Sequence, residues 1–121
     1  MPRDPRQHLG RLGEQLAAEH LERLGYAIVA RNHRTRYGEL DLVACDGGTL
    51  VFCEVKTRRG RGEPWDALGD AKRMQVRRMA REYLSEVTDR PRVAALRFDA
   101  IGVCIDTRGR LTRLEHLEDA F

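Results

Sequence analysis

Two short apolar runs joined by Asp46-Gly47-Gly48 constrain this chain more than any other feature, because both carry charge where a sheet strand wants none. Gly38 to Cys45 reads GELDLVAC and Thr49 to Lys56 reads TLVFCEVK, each a strand by its apolar content, with Glu39, Asp41, Glu54 and Lys56 embedded in them. A Gly47-Gly48 pair suits a two-residue hairpin loop. In that register Asp46 faces Thr49, Asp41 faces Glu54 and Glu39 faces Lys56, and the period of two predicts all four charges on one face of the sheet. Directly opposed carboxylates have Cβ atoms only ~4.5–5.5 Å apart and repel. Either one of them keeps a proton, or a hard divalent cation sits between them. With Mg²⁺ or Mn²⁺ on Asp41 and Glu54, Lys56 would orient or deprotonate an attacking water, or offset charge on a scissile phosphate. The chemistry is metal-assisted phosphodiester hydrolysis. The competing reading is a solvated hairpin face with cross-strand ion pairs, Glu39 with Lys56 for example.

Composition bears on that choice. Of 22 basic residues twenty are arginine, and the only lysines are Lys56 and Lys72. An arginine makes a surface ion pair equally well, whereas a compact, tunable ammonium is what a catalytic site asks for. Lys56 is thus a lysine where the background supplies arginine.

The rest of the chain reads as a single α/β domain over residues 9–121. Residues 1–8 are polar, carry two prolines and read as a loose arm. From Leu9 to Leu24 the residues Leu9, Leu12, Leu16, Ala17, Leu21 and Leu24 recur at helical spacing, and Gly25 is placed to close that helix. Glu14 falls beside Leu21 on the helical wheel, at the margin of the apolar stripe. There it either reaches the sheet or is an ordinary solvated acid like Glu19 and Glu22. Tyr26 to Arg31 predicts a strand ahead of the hairpin. An arginine- and glycine-rich loop, Thr57 to Gly62, precedes a helix that starts at Pro64 and runs from Trp65 to Ser85, with Leu68, Val76, Met79, Ala80 and Tyr83 inward. After Asp89-Arg90-Pro91, Val93 to Ile105 predicts another strand, then a turn at Asp106 to Arg110 and a short closing segment. The order is α-β-β-β-α-β(-β).

Several classes are excluded. Cys45, Cys53 and Cys104 are an odd number with no C-x-x-C pair, against both a disulfide framework and structural zinc. The histidines His8, His20, His33 and His116 show no metal-ligand spacing. No apolar stretch approaches the ~18 residues of a membrane span, and the opening residues lack the apolar core of a secretory signal, so a cytoplasmic location is expected.

The segments GRLGEQLAAEHLERLGY, RNHRTRYGELDLVACDGGTLVFCEVKTR and RFDAIGV, with the ending EDAF, resemble the small bacterial YraN family, uncharacterised protein family 0102, from about Leu9 to Phe121. That family is similar to the PD-(D/E)xK nucleases and, among them, to archaeal Holliday-junction resolvases. The resemblance implies a restriction-endonuclease-like fold, a central mixed β-sheet flanked by helices. It implies Asp41 and Glu54 as metal-binding carboxylates, Lys56 as the catalytic lysine and Glu14 as the acid contributed by the first helix. The backbone carbonyl of Val55 would complete the metal shell. One departure is visible: Leu40 stands where the superfamily's name has proline.

Residues 58–81 hold Arg58, Arg59, Arg61, Lys72, Arg73, Arg77, Arg78 and Arg81 against Glu63, Asp66 and Asp70, a local net charge of +5. Such a stretch, just after the charged hairpin, suits phosphate-backbone contact, for which Arg58, Arg59, Arg61, Lys72, Arg73, Arg77 and Arg78 are the candidates. A solvated helix face is the other reading. Tyr37 and Trp65 are the exposed aromatic candidates, too few for a single-strand stacking platform, so duplex or branched DNA is the expected partner. Asp99 is expected to be tied to Arg97 or a backbone donor. A divalent-metal DNA endonuclease leads, with a nucleic-acid-binding protein that keeps the nuclease fold without turnover as its rival. Concerted cutting of two strands would call for a homodimer.

Overall fold

The computed structural model describes residues 5–60 and 69–121, with side chains from His8 onward. Its elements are α1 (Pro5–Arg23), β1 (Ala27–Thr35), β2 (Gly38–Asp46), β3 (Thr49–Arg59), α2 (Asp70–Glu86), β4 (Ala95–Ile105) and β5 (Leu111–Leu117). The strands form one sheet in the order β1-β2-β3-β4-β5. All neighbours are antiparallel except β3 and β4, which run parallel. A parallel pair needs a crossover, and α2 lies within it. The fold is therefore α/β, a mixed sheet with one helix on each face, in the expected order of elements.

Each face has its own core. On one side α1 buries Ala17, Ala18 and Leu21 against Leu42, Ala44, Val51, Cys53, Ile101 and Val103, with Leu9, Leu12 and Leu16 half-buried over them. On the other, Val76, Met79, Ala80 and Tyr83 of α2 cover Val43, Leu50, Phe52, Phe98 and Ala100. The spacing of these α2 residues is the expected inward face. Leu24 departs from expectation: α1 ends at Arg23 and Leu24 is exposed. Gly25, at φ +94°, makes the turn that follows, and the Tyr26 N–H donates to the Leu21 carbonyl. The three cysteines are free thiols, and burial pushes the Cys53 thiol far above its ordinary range.

Several boundaries differ from the sequence reading; β1, expected over Tyr26 to Arg31, runs on to Thr35. α1 begins at Pro5, so residues 5–8 are helical and not part of an arm; proline is tolerated in a first turn because its missing N–H has no partner there anyway. β3 continues through Thr57, Arg58 and Arg59, which pair with Val103, Cys104 and Ile105 of β4, so the expected loop starts later. α2 starts at Asp70, after an extended Gly69 at φ −87° and ψ 179°. The expected start at Pro64 and Trp65, with Leu68 and Arg61, lies outside the described residues. β4 begins at Ala95 rather than Val93, and the closing segment is a strand, β5, paired with β4.

Asp99 fastens the far end of this sheet. Fully buried, it accepts two bonds from Arg97 at 2.9 Å, one from the Asp119 N–H at 2.9 Å and one from His116 Nε2 at 2.8 Å. Arg97 also donates to the Tyr26 hydroxyl at 2.6 Å, so one carboxylate ties β4 and β5 to the chain end and to the residue before β1. An ionised carboxylate only accepts, so His116 Nε2 is the donor to Asp99, and the other ring nitrogen, Nδ1, lies 3.1 Å from His20 Nε2. Burial alone would raise the Asp99 carboxyl, but the bonds from His116, Arg97 and Asp119 outweigh it and hold it down at about 2. A depressed folded-state value contributes stability that is present above the unfolded value of ~3.9 and is lost as pH falls toward about 2. Asp99→Asn should cost about 3 kcal/mol at pH 7, the scale of breaking a buried pair. In denaturant titrations the gap to wild type should narrow at pH 3; an equal gap at both pH values would refute the charge argument.

Candidate functional site

The hairpin register is as expected from Asp46↔Thr49 to Leu42↔Cys53, and there the β2–β3 ladder stops. Beyond it β2 remains paired with β1 through Gly38, and β3 with β4 through Arg59. The two strands therefore part at the charged residues. In place of the next ladder bond, the Val55 N–H donates to Asp41 Oδ2 at 2.8 Å. Asp41 and Glu54 remain neighbours across the gap, close enough for the two carboxyl groups to act on each other.

The expected single charged face is not what forms. Leu40 packs in the α2-side core and Leu42 in the α1-side core, although a regular strand would place both on one side. The pleat is broken at Asp41. Across from it on β1, between the pairs Arg31↔Leu42 and His33↔Leu40, lies Asn32 at φ +52°. A left-handed residue inside a strand is strained, and asparagine bears it better than most. Glu39 consequently faces Arg34 across β1, at 3.8 Å, and not Lys56.

This break lets Asp41 meet acids from both sides of the sheet. Glu14 of α1, Glu39 and Asp41 bring carboxylate oxygens within 4.8 Å of one another. α1 is seated for this by Gly13, where any Cβ would overlap the side chain of Thr57 on β3, so the helix approaches β3 at the residue before Glu14. Asn32 was missed by sequence reasoning, yet its side chain hydrogen-bonds Glu14. Its only signal is an asparagine within the run from Ala27 to Thr35. Glu14, Asn32 and Glu39, together with Gly10, Arg11 and Arg34, line an open cleft of about 460 Å³.

Glu54 belongs to the other side. It is buried, and its Oε1 takes Lys72 Nζ of α2 at 2.8 Å and Lys56 Nζ at 3.7 Å. Both lysines of the chain thus converge on one oxygen. Lys72, expected on a phosphate-binding face, is turned into the site instead.

The electrostatics follow from burial and crowding. Burial first, then the facing Glu54, pushes the Asp41 carboxyl up to about 8, despite the Val55 N–H that favours its charged form. Burial and Glu39 raise Glu14, while Asn32 and Arg11 pull it partway back. Every candidate ligand here is a hard carboxylate oxygen, the donor type Mg²⁺ and Mn²⁺ take, so the residues fit such an ion.

The expected phosphate contacts divide. Arg59 Nη1 donates to the carbonyls of Asp106 and Thr107 at 3.1 and 3.2 Å, bracing the β4–β5 turn. Arg77 lies over the Phe98 ring and donates to the Phe121 carbonyl at 2.7 Å, so both have structural duties. Arg58 lies exposed on β3, Arg73 and Arg78 on α2, with Arg78 5.8 Å from the Tyr37 ring. Among the described residues, no helix is long and apolar enough to cross a membrane.

A five-stranded mixed sheet between two helices, in the order α-β-β-β-α-β-β, makes this an α/β protein consistent with a restriction-endonuclease-like fold. The model of uncharacterised protein family UPF0102 matches residues 13–103, and the chain belongs to that family. It is 45% identical over 120 residues to a UPF0102 protein of Pelotomaculum thermopropionicum, covering 98% of each chain. To a UPF0102 protein of Symbiobacterium thermophilum it is 47% identical over 117 residues, 95% of this chain and 97% of that one.

A site of crowded acids lowers the stability of the fold that holds it. Because the folded Asp41 value is raised, its favourable contribution is complete below the unfolded value of ~3.9 and is lost as pH rises to about 8. Asp41→Asn should therefore be more stable than wild type at pH 8, by roughly 1–3 kcal/mol, and near wild type at pH 4. Thermal melts at the two pH values check this; a variant less stable than wild type at pH 8 would sink it.

Proposed function

We propose that the chain is a divalent-metal-dependent nuclease hydrolysing phosphodiester bonds in DNA, with branched recombination and repair intermediates as its substrate class. The observation that carries this reading is the parted hairpin, where Asp41 stands between Glu54 on one side and Glu14 with Glu39 on the other, with Lys56 two residues beyond Glu54.

Asp41 and Glu54 would hold Mg²⁺ or Mn²⁺, with the Val55 carbonyl and Glu14 as further donors, and the ion would stabilise charge developing on the phosphate and acidify a bound water. The protein's own groups do the rest. Lys56, half-exposed at 3.7 Å from Glu54, is loosely held and free to turn to a phosphate oxygen or the attacking water. Asn32 steadies Glu14 at the mouth of the cleft, whose rim carries Arg11 and Arg34. Exposed arginines on α2, Arg73 and Arg78, supply sequence-independent affinity for the phosphate backbone. A symmetric homodimer would present two such sites to a junction.

Purified protein incubated with duplex, flap, single-stranded and four-way-junction DNA, with Mn²⁺ or EDTA, tests the reading. Metal-dependent cutting of the branched substrates is expected, with Glu54→Gln and Lys56→Ala losing about 10²-fold or more in rate. Paired Arg73→Ala and Arg78→Ala should flatten the salt dependence of DNA binding by about two in log–log slope. Binding without cutting would favour a non-catalytic DNA-binding role, and variants that cut like wild type would remove these residues from the chemistry.

A further inference from the structure

Lys72 and Lys56 are the two lysines among 22 basic residues, and both ammonium groups meet the same oxygen, Glu54 Oε1. Their contacts are unequal. Lys72 makes a tight charge-assisted bond at 2.8 Å, whereas Lys56 stands off at 3.7 Å. Lys72 also reaches Gln75 Oε1 at 3.3 Å, and Gln75 Nε2 donates to the Tyr37 carbonyl at 2.8 Å. The first turns of α2 are thereby linked to Glu54 and to the turn between β1 and β2.

Charge and shape explain why this position is a lysine. An ammonium is a point charge that suits a single carboxylate oxygen, and both lysines are recorded against Glu54 Oε1. A guanidinium presents a planar fork that takes both oxygens of a carboxylate at once, leaving neither for a cation. With the Glu54 charge already met by Lys72, Lys56 is not drawn in. We propose that Lys72 is a positioning residue of the site: it is the standing counter-ion of Glu54, competes with the divalent cation for that carboxylate, and keeps Lys56 disengaged for the phosphodiester. This rests on the function proposed above and adds to it a residue acting through Glu54.

The consequence is a pair of opposite effects that a merely structural lysine would not produce. Lys72→Met removes a positive charge beside the cation site, so Mn²⁺ binding should tighten, on the order of tenfold. Lys72→Arg keeps the charge but claims both oxygens, so Mn²⁺ binding should weaken by about as much. Both should lower kcat on branched DNA with little change in its KM, Lys72→Met because Lys56 is then pulled to Glu54. Calorimetric titration of wild type, Lys72→Met, Lys72→Gln and Lys72→Arg with MnCl₂ reads the metal directly, and thermal melts confirm that each variant is folded. Opposite shifts for the neutral and arginine variants support the proposal, even where wild type binds Mn²⁺ and fails to cut, which would remove only the nuclease reading. Shifts in the same direction, or none, in a wild type that binds Mn²⁺ and cuts would overturn the role of Lys72 and leave the nuclease reading standing. A wild type that binds no Mn²⁺ would overturn both.

Discussion

The bond from the Val55 N–H to the Asp41 carboxylate, at 2.8 Å, is where two demands on the central hairpin are reconciled. A buried backbone donor must be paired, and a strand that leaves its neighbour strands a row of such donors. By offering a side-chain oxygen where the next backbone carbonyl would have stood, Asp41 lets β2 turn away from β3 without leaving Val55 unsatisfied. Around that divergence Glu14 and Glu39 gather with Asp41 on one side, and both lysines meet Glu54 on the other. Asn32, left-handed on the neighbouring strand, and Gly13, which lets α1 approach β3 closely, are the accommodations made around it.

Charge in this fold is handled in two contrasting ways. Around Asp99 every bond stabilises the ionised form, and the carboxyl is held down at about 2 although it is fully buried. Around Asp41 burial and neighbouring acids act together, and the carboxyl is pushed up to about 8. The first arrangement fastens strands and the chain end together. The second holds a carboxyl above its ordinary range, at a cost in stability, and such perturbed groups cluster at functional sites. Glu54 is buried as well, and Lys72 meets its charge at 2.8 Å.

Much of the fold was legible because its signals are local. The periodicity of Val76, Met79, Ala80 and Tyr83, the Gly47-Gly48 turn and the apolar runs of β2 and β3 each depend on a few neighbouring residues, and each forms as expected. The registry from Asp46↔Thr49 to Leu42↔Cys53 followed from counting back from the turn. What failed was the extension of regular alternation past Leu42, which put Glu39 opposite Lys56. No local pattern announces a broken pleat, since it arises from competition among α1, β1 and β3 for the same strand.

The sequence by itself therefore determined which side chains the central strands carry: carboxylates and a lysine embedded in apolar runs, in a chain with twenty arginines and two lysines. Only the tertiary structure decided how those side chains are arranged. It brought Glu14 from α1 to Glu39 and Asp41 and Lys72 from α2 to Glu54, and it gave Arg59 and Arg77 to backbone carbonyls. The reason is physical. Residue type and spacing set what a side chain can do, whereas its partner is set by which helix packs on which face of the sheet, and that is a property of the whole core.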